Sequence, residues 1–493
     1  MEQRERKLSP DQATAPLFEA VAEFAGRRPA YFCIPGHRYE KGINPLWRAA
    51  VGDKIFSFDL TETPLTDDLH CPDGPILAAE NLAAELWGAE KSYFLVNGST
   101  CGNEAMVLTA AHEQEKICIP RNAHKSILMG LTISGAEPVY ISPEIEPEWG
   151  LQGGITPAQV EEIFSRHPDC RAVHVVSPTY YGITSDLKGI AVVCHQHDAL
   201  LLVDEAHGAH CYFSPELPAG AIEQGADLCV QSIHKVTGSL TQSSMLHVAG
   251  GRVDLAALER NLRLVQSTSP SYLLMTSLDM ARHYMASEGE KMMQDALSLA
   301  RYAREEINKI PGLRCAGREL VGRCGIADLD ETRLTISAAE IGIGGFQLSG
   351  LLFDRYNIAT ELADDRNVLA IVTYANTRAD MDLLLAALGD IAEKNAGGPP
   401  LASALPLPPR PEYIMSPREA YFAPKRRIPW SQAVGRVAAE MIAPYPPGIP
   451  VIYQGERMSP EVFSYLDAVR RRRGHMHGPS DPSLETFLAV DEK

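Results

Sequence analysis

The sequence predicts an α/β protein in three parts: a mostly parallel sheet domain, a smaller α+β domain and a C-terminal domain. Three observations lead there. Between about residues 70 and 250, helical periods alternate with short apolar runs, the pattern of βαβ units whose sheet is covered on both faces. After about residue 286 the order changes to a long helix, short strands and further helices. Residues 397–411 are rich in Pro, which excludes a helix or a central strand there. The expected parts are an N-terminal segment 1–60, a large domain 61–285, a small domain 286–396, a linker 397–411 and a C-terminal domain 412–493.

Each element has a local reason. Asp73-Gly74-Pro75 opens a helix whose apolar face carries Ala79, Leu82, Ala83 and Leu86, and Gly88 closes it. Tyr93–Val96 reads as a buried strand, Asn97-Gly98-Ser99-Thr100 as a turn, and Gly102–His112 as a helix. Further strands are expected at Ile117–Ile119, Val139–Ile141, Ala172–Val176, Leu200–Val203, Leu228–Gln231 and Met245–Val248. In the small domain, strands are expected at Leu334–Ser337, Ile358–Leu362 and Val368–Tyr374, and a helix near Phe346–Tyr356. Thr377-x-x-Asp380 resembles a capping box for a helix bearing Met381, Leu384, Leu385 and Leu388.

Composition narrows the function. The 493 residues include 45 Lys plus Arg against 63 Asp plus Glu, a formal charge of −18. An acidic surface repels phosphate backbones, so a nucleic-acid partner is not expected. No apolar run approaches the ~20 residues that span a bilayer, and no secretory signal is visible behind Met1–Lys7. The ten Cys form no C-x-x-C pair, which argues against a zinc knuckle or disulfide framework and for a reduced, cytoplasmic setting. No metal is expected.

Asp204-Glu205-Ala206-His207 follows the apolar run Leu200–Val203 and by itself matches a helicase box. That chemistry needs a G-x-x-x-x-G-K-[ST] phosphate loop, and the chain has no Gly-Lys dipeptide. Another machine uses a carboxylate and a lysine at neighbouring strand ends: pyridoxal phosphate (PLP) catalysis. There the lysine amine forms an imine with the aldehyde, and the carboxylate keeps the pyridine nitrogen protonated. Lys235 lies 31 residues after Asp204, at the end of Asp227–Ile233, with Ser232, His234 and Gln242 nearby. One helix and one strand fit that gap. Asn97-Gly98-Ser99-Thr100 offers a dianion site at a helix start, or equally a plain N-cap by Ser99. His124, after the strand at 117–119, offers a flat group for a ring face, although a lone His is more often structural.

These stretches together resemble the bacterial Orn/Lys/Arg decarboxylase family, PLP enzymes of fold type I with the aspartate-aminotransferase fold. The lysine motif is Ser232-Ile233-His234-Lys235 followed by Gln242-Ser243-Ser244-Met245-Leu246-His247. Pro35-Gly36-His37, Asp59–Glu62, Asp67–His70, Val96–Thr100, Arg121–Ser126, Ser267–Tyr272, Ala433–Arg436 and residues 445–450 follow in family order. The resemblance implies that Lys235 carries the imine, Asp204 pairs with the pyridine nitrogen and His124 stacks on the ring. Ser99, Thr100, Ser232 and His234 would contact the phosphate, and Ser267 the phosphate of a partner subunit. His207 stands where some relatives have Trp. Lys235 and His234 are both candidate proton donors at Cα.

The implied substrate is a small cationic amino acid. Asp67, Asp68 and Glu456, the last in Gln454-Gly455-Glu456, are candidate partners for its distal cation or else solvated or structural carboxylates. The short chain, without the N-terminal wing of acid-inducible members, resembles biosynthetic arginine decarboxylases. That implies arginine to agmatine for polyamine synthesis, with lysine or ornithine next, in a homodimer or dimer of dimers. An aminotransferase and a non-catalytic regulatory relative are the other readings.

Overall fold

A computed structural model describes residues 8–401, 410–445, 450–471 and 475–492. Most of the expected linker, at 402–409, and of the motif at 445–450, at 446–449, lies outside the described residues. The chain divides into two compact units, residues 1–109 with 200–292, and residues 110–199 with 293–493. Among the described residues no helix is long and apolar enough to cross a membrane.

In the first unit four strands lie in the order Lys91–Leu95, Ser244–Val248, Leu228–Gln231 and Leu200–Asp204. The first two pairings are antiparallel, and Leu200–Asp204 runs parallel to Leu228–Gln231 with Asp204 opposite Val230. The helix Pro75–Trp87 has Pro at its start, buries Ile76, Ala79, Ala83 and Leu86, and ends on Gly88 at φ 71°, as its sequence dictates. The helix after the first strand spans Gly98–Ala110, so it begins four residues earlier than expected and absorbs Ser99 and Thr100 into its first turn. Gly102 permits this helix to lie against the sheet: a Cβ there would stand 2.5 Å from a Val230 methyl and 2.8 Å from Leu95.

The connection from Asp204 to Leu228 differs from expectation. It holds a short 3-10 turn at Cys211–Phe213 and no α-helix, because Pro215, Pro218, Gly220 and Gly225 break helical continuity. The two strands are parallel neighbours all the same. The strand bearing the lysine ends at Gln231, and Lys235 sits in the helical turn Ile233–Val236 that follows.

The second unit contains parallel strands Cys170–Val176, Lys116–Pro120 and Glu137–Ile141, with Lys116–Pro120 central. It also has a four-stranded antiparallel sheet, Arg314–Cys315, Arg333–Ser337, Asn367–Ile371 and Leu362–Ala363. Helices Gly345–Tyr356 and Arg378–Lys394 pack on that sheet through Leu348, Leu352, Leu384 and Leu388. The Thr377/Asp380 capping box is present in both directions. The expected strand Ile358–Leu362 shrinks to Leu362–Ala363, because the chain leaves the preceding helix through Asn357 at φ 55° and the Ile358 N–H still bonds back to Leu352. The long helix runs Tyr272–Ile307 and passes through the expected boundary at 285/286. Toward the C-terminus, Lys425–Pro429 pairs with Thr486–Val490, and Trp430, Ile442, Ile452, Leu466 and Phe487 form a core of their own.

Candidate active site

Within the first unit one sheet edge gathers most of the expected residues. Asp204 ends its strand 4 % exposed. Its Oδ2 accepts Asn103 Nδ2 at 2.8 Å and its Oδ1 accepts the Ala206 N–H at 3.1 Å. Lys235 Nζ stands 2.9 Å from His207 Nε2. Beside them, Ser99 Oγ lies 2.8 Å from Ser232 Oγ and 3.2 Å from Ser244 Oγ. Three hydroxyls thus converge on the first turn of the Gly98–Ala110 helix, where backbone N–H groups and the helix dipole favour an anion. Thr100 is half-buried in the same turn.

His234 Nδ1 lies 2.8 Å from the Ser243 carbonyl, which fixes a proton on that nitrogen. Burial pushes the His234 pKa below its ordinary value, the Lys235 charge adds to this, and the Ser243 bond opposes it only in part. The ring is therefore neutral at pH 7. Ser267 is exposed; its N–H donates to Asn97 Oδ1 at 3.2 Å, and its carbonyl lies 2.8 Å from His70 Nε2.

Gln266 and Asn103 escaped the sequence reading, which had named Gln242. The Val96 N–H donates to Gln266 Oε1 at 2.9 Å, and the Val96 carbonyl accepts Gln242 Nε2 at 2.6 Å. Two side-chain amides from distant segments thereby hold the entrance to the Asn97–Ser99 turn. Asn103, four residues after Ser99, is one helical turn on; that spacing was the available signal, and it was not used.

The candidate substrate carboxylates separate. Asp67 accepts the N–H groups of Asp68, Asp73, Gly74 and Ile76. Burial alone would raise its pKa, but these four bonds outweigh burial and hold it below the ordinary value. Asp67 therefore braces the start of the Pro75–Trp87 helix, which supports the structural of its two readings. Asp68 is exposed and accepts the His70 N–H at 2.8 Å.

In the second unit His124 caps the helix Lys125–Ser134, its Nδ1 accepting the Ser126 N–H at 3.3 Å. Glu456, 1 % exposed, is ion-paired with Arg121, and its Oε2 accepts the Tyr453 N–H at 2.7 Å. The Arg121 guanidinium also donates to the Val451 carbonyl at 3.0 Å and lies 5.0 Å from the Tyr140 ring and 4.5 Å from the Tyr453 ring. A buried carboxylate so engaged supports the structural of the two readings of Glu456.

Comparison with known proteins shows the family. Residues 15–380 match the Orn/Lys/Arg decarboxylase major domain and residues 404–480 the C-terminal domain of the same family. The chain is 40% identical to an arginine decarboxylase of Halalkalibacterium halodurans, over 98% of each chain. It is 38% identical to an arginine decarboxylase of Bacillus subtilis, over 98% of this chain and 99% of the other. The structure of the E. coli constitutive lysine decarboxylase superposes with a TM-score of 0.81 at 21% identity, over 98% of this chain and 82% of that one. The fold is the α/β, aspartate-aminotransferase-like fold that the motifs implied. The chain belongs to the Orn/Lys/Arg decarboxylase family.

Proposed function

We propose that this chain decarboxylates L-arginine to agmatine and CO₂ with pyridoxal 5′-phosphate, in the cytoplasm, as a homodimer or dimer of dimers. The observation that carries the reading is the single edge holding Lys235, a buried Asp204 and a three-serine helix start. Those residues fit the cofactor. Ser99, Thr100 and Ser232 offer hydroxyls and helix N–H groups for a phosphate, with His234 beside them. Asp204 offers a buried carboxylate for a ring nitrogen and Lys235 an amine for an aldehyde; the family resemblance gives the stacking role to His124. His207 sits against Lys235, and Ser267 is exposed for a neighbouring subunit's phosphate.

When bound, that cofactor supplies an electron sink for the pair left at Cα as CO₂ departs. The chain's own residues do the rest. Asn103 and the Ala206 N–H spend their bonds on the Asp204 carboxylate and keep it aimed. His207 Nε2, 2.9 Å from Lys235 Nζ, is placed to hold a proton from that amine. Lys235 is the better proton donor at Cα than His234, whose ring is neutral and already bonded to Ser243. Arginine is preferred over lysine and ornithine because the relatives matched along nearly their whole length are named for it. Asp68 stays as the candidate partner for the substrate's distal cation.

The test is direct. Purified protein is incubated with PLP and, separately, arginine, lysine and ornithine; released CO₂ is measured and the amine identified. Agmatine as the dominant product supports the proposal. A keto acid without CO₂, or no turnover with any of the three, sinks it.

A further inference from the structure

Glu205 follows Asp204 and has no part in the chemistry above, yet it is 1 % exposed. Its carboxylate collects four donors. Oε1 accepts the Ala221 N–H at 2.7 Å. Oε2 accepts Gln231 Nε2 at 2.7 Å, the Tyr212 hydroxyl at 2.9 Å and the Cys229 thiol at 3.0 Å. Its main chain is tied as well: the N–H donates to Val230 and the carbonyl accepts the Gly208 N–H, both at 2.9 Å. The second of these bonds closes the turn Glu205–Gly208 that carries His207.

These bonds join three segments. One is the turn that holds His207. The second is the loop from Tyr212 to Ala221, which lacks an α-helix to stiffen it. The third is the strand end Cys229–Gln231, which leads directly into Ser232 and Lys235. Gln231 passes the tie onward, its Oε1 lying 3.1 Å from His247 Nε2, whose Nδ1 meets Ser92 Oγ at 2.7 Å. A carboxylate with four donors is matched to its surroundings as an acceptor. Glu205 thus reaches both the His207 turn and the lysine strand.

We propose that Glu205 is a positioning residue: its four-donor hub sets the approach of His207 to Lys235. This rests on the decarboxylase reading above for its kinetic consequences, though not for its geometry. A glutamine at 205 offers one acceptor oxygen in place of two. Its NH₂ must then face either the Ala221 N–H or the group of three donors, so at least one contact turns from attraction to repulsion.

The experiment uses the full chain with three readouts on Glu205→Gln. First, kcat with arginine falls at least about tenfold while KM stays within about threefold, the split expected when alignment of reacting groups is lost. Second, the visible absorbance of the PLP-loaded protein titrates with pH at a different midpoint. Third, in the ligand-free protein the His207 ring resonance, assigned with His207→Asn, moves. Tyr212→Phe deletes a single donor without placing a new one; it shifts the same readouts in the same direction by less, and it stands in if Glu205→Gln does not fold. Unchanged His207 resonance, pH midpoint and kcat in both variants overturn the proposal. A His207 resonance that shifts in Glu205→Gln, while the wild-type protein releases no CO₂ from any of the three amino acids, keeps the positioning role and removes the proposed function instead.

Discussion

Arg121 and Glu456 form a buried pair whose two halves fail differently when separated. Glu456→Gln keeps the shape and an acceptor for the Tyr453 N–H, and removes only the charge. The guanidinium left behind cannot release its proton. It has one carbonyl, Val451, and the faces of Tyr140 and Tyr453 as company. Removing one partner of a buried pair costs about 3–5 kcal/mol; two aromatic faces return part of that at ~0.5–2 kcal/mol each, so about 3 kcal/mol is expected, independent of pH between 5 and 8. Arg121→Met leaves the carboxylate instead, and a carboxylate can take up a proton. Burial already pushes the Glu456 pKa up against the pull of Arg121, and without Arg121 it rises further. The folded state of this variant then binds a proton that the unfolded state lacks, so its stability falls as pH rises above the unfolded carboxylate pKa. The penalty therefore grows between pH 5 and the folded-state pKa, by at most about 1.4 kcal/mol per pH unit. Native-state hydrogen exchange of peptides covering 116–120 and 451–456 reads both variants at several pH values. Equal, pH-independent losses in the two variants, or losses below about 1 kcal/mol in both, refute this account of the pair.

Other consequences follow from single groups. Glu80 is buried, and desolvation raises its pKa to about 8 despite the bond from the Phe94 N–H. The folded state thus holds a proton that the unfolded state has lost above its ordinary pKa, and stability declines from about pH 4.5 to about 8. Glu80→Gln removes that slope, gaining about 3 kcal/mol more at pH 7.5 than at pH 5.5 in chemical denaturation; a parallel pH profile in both proteins contradicts this. Asp204→Asn retains the Asn103 contact region but loses the charge; kcat falls about 10²–10³-fold with PLP still bound, and near-normal turnover rejects the assigned role.

The sequence carried the strand order along the chain and the lysine motif because both rest on local patterns. Apolar runs of three or four residues located Lys116–Pro120, Leu200–Asp204 and Leu228–Gln231 within a few residues. The start of the helix at Gly98 was missed because Gly and Ser are turn formers by propensity. Packing overrode that propensity, since Gly102 lets the helix press onto Val230 and Leu95. The missing helix after Asp204 was legible in Pro215 and Pro218, but the need for a crossover outweighed them. The carboxylates were least legible. Nothing local distinguishes Asp68, exposed, from Asp67, spent on four backbone N–H groups, or from Glu456, paired with a residue 335 positions away. Long-range partners such as Gln266 with Val96 are set by topology, which a single sequence does not print.

One measurement bears most directly on the central claim, that Lys235 is the residue joined to the cofactor. The PLP-loaded protein is reduced with borohydride, digested, and the modified peptide is mapped by mass spectrometry. The account predicts a phosphopyridoxyl group on Lys235, with no label and no visible absorbance band in Lys235→Ala. A label on another lysine, or an unchanged band in that variant, contradicts it.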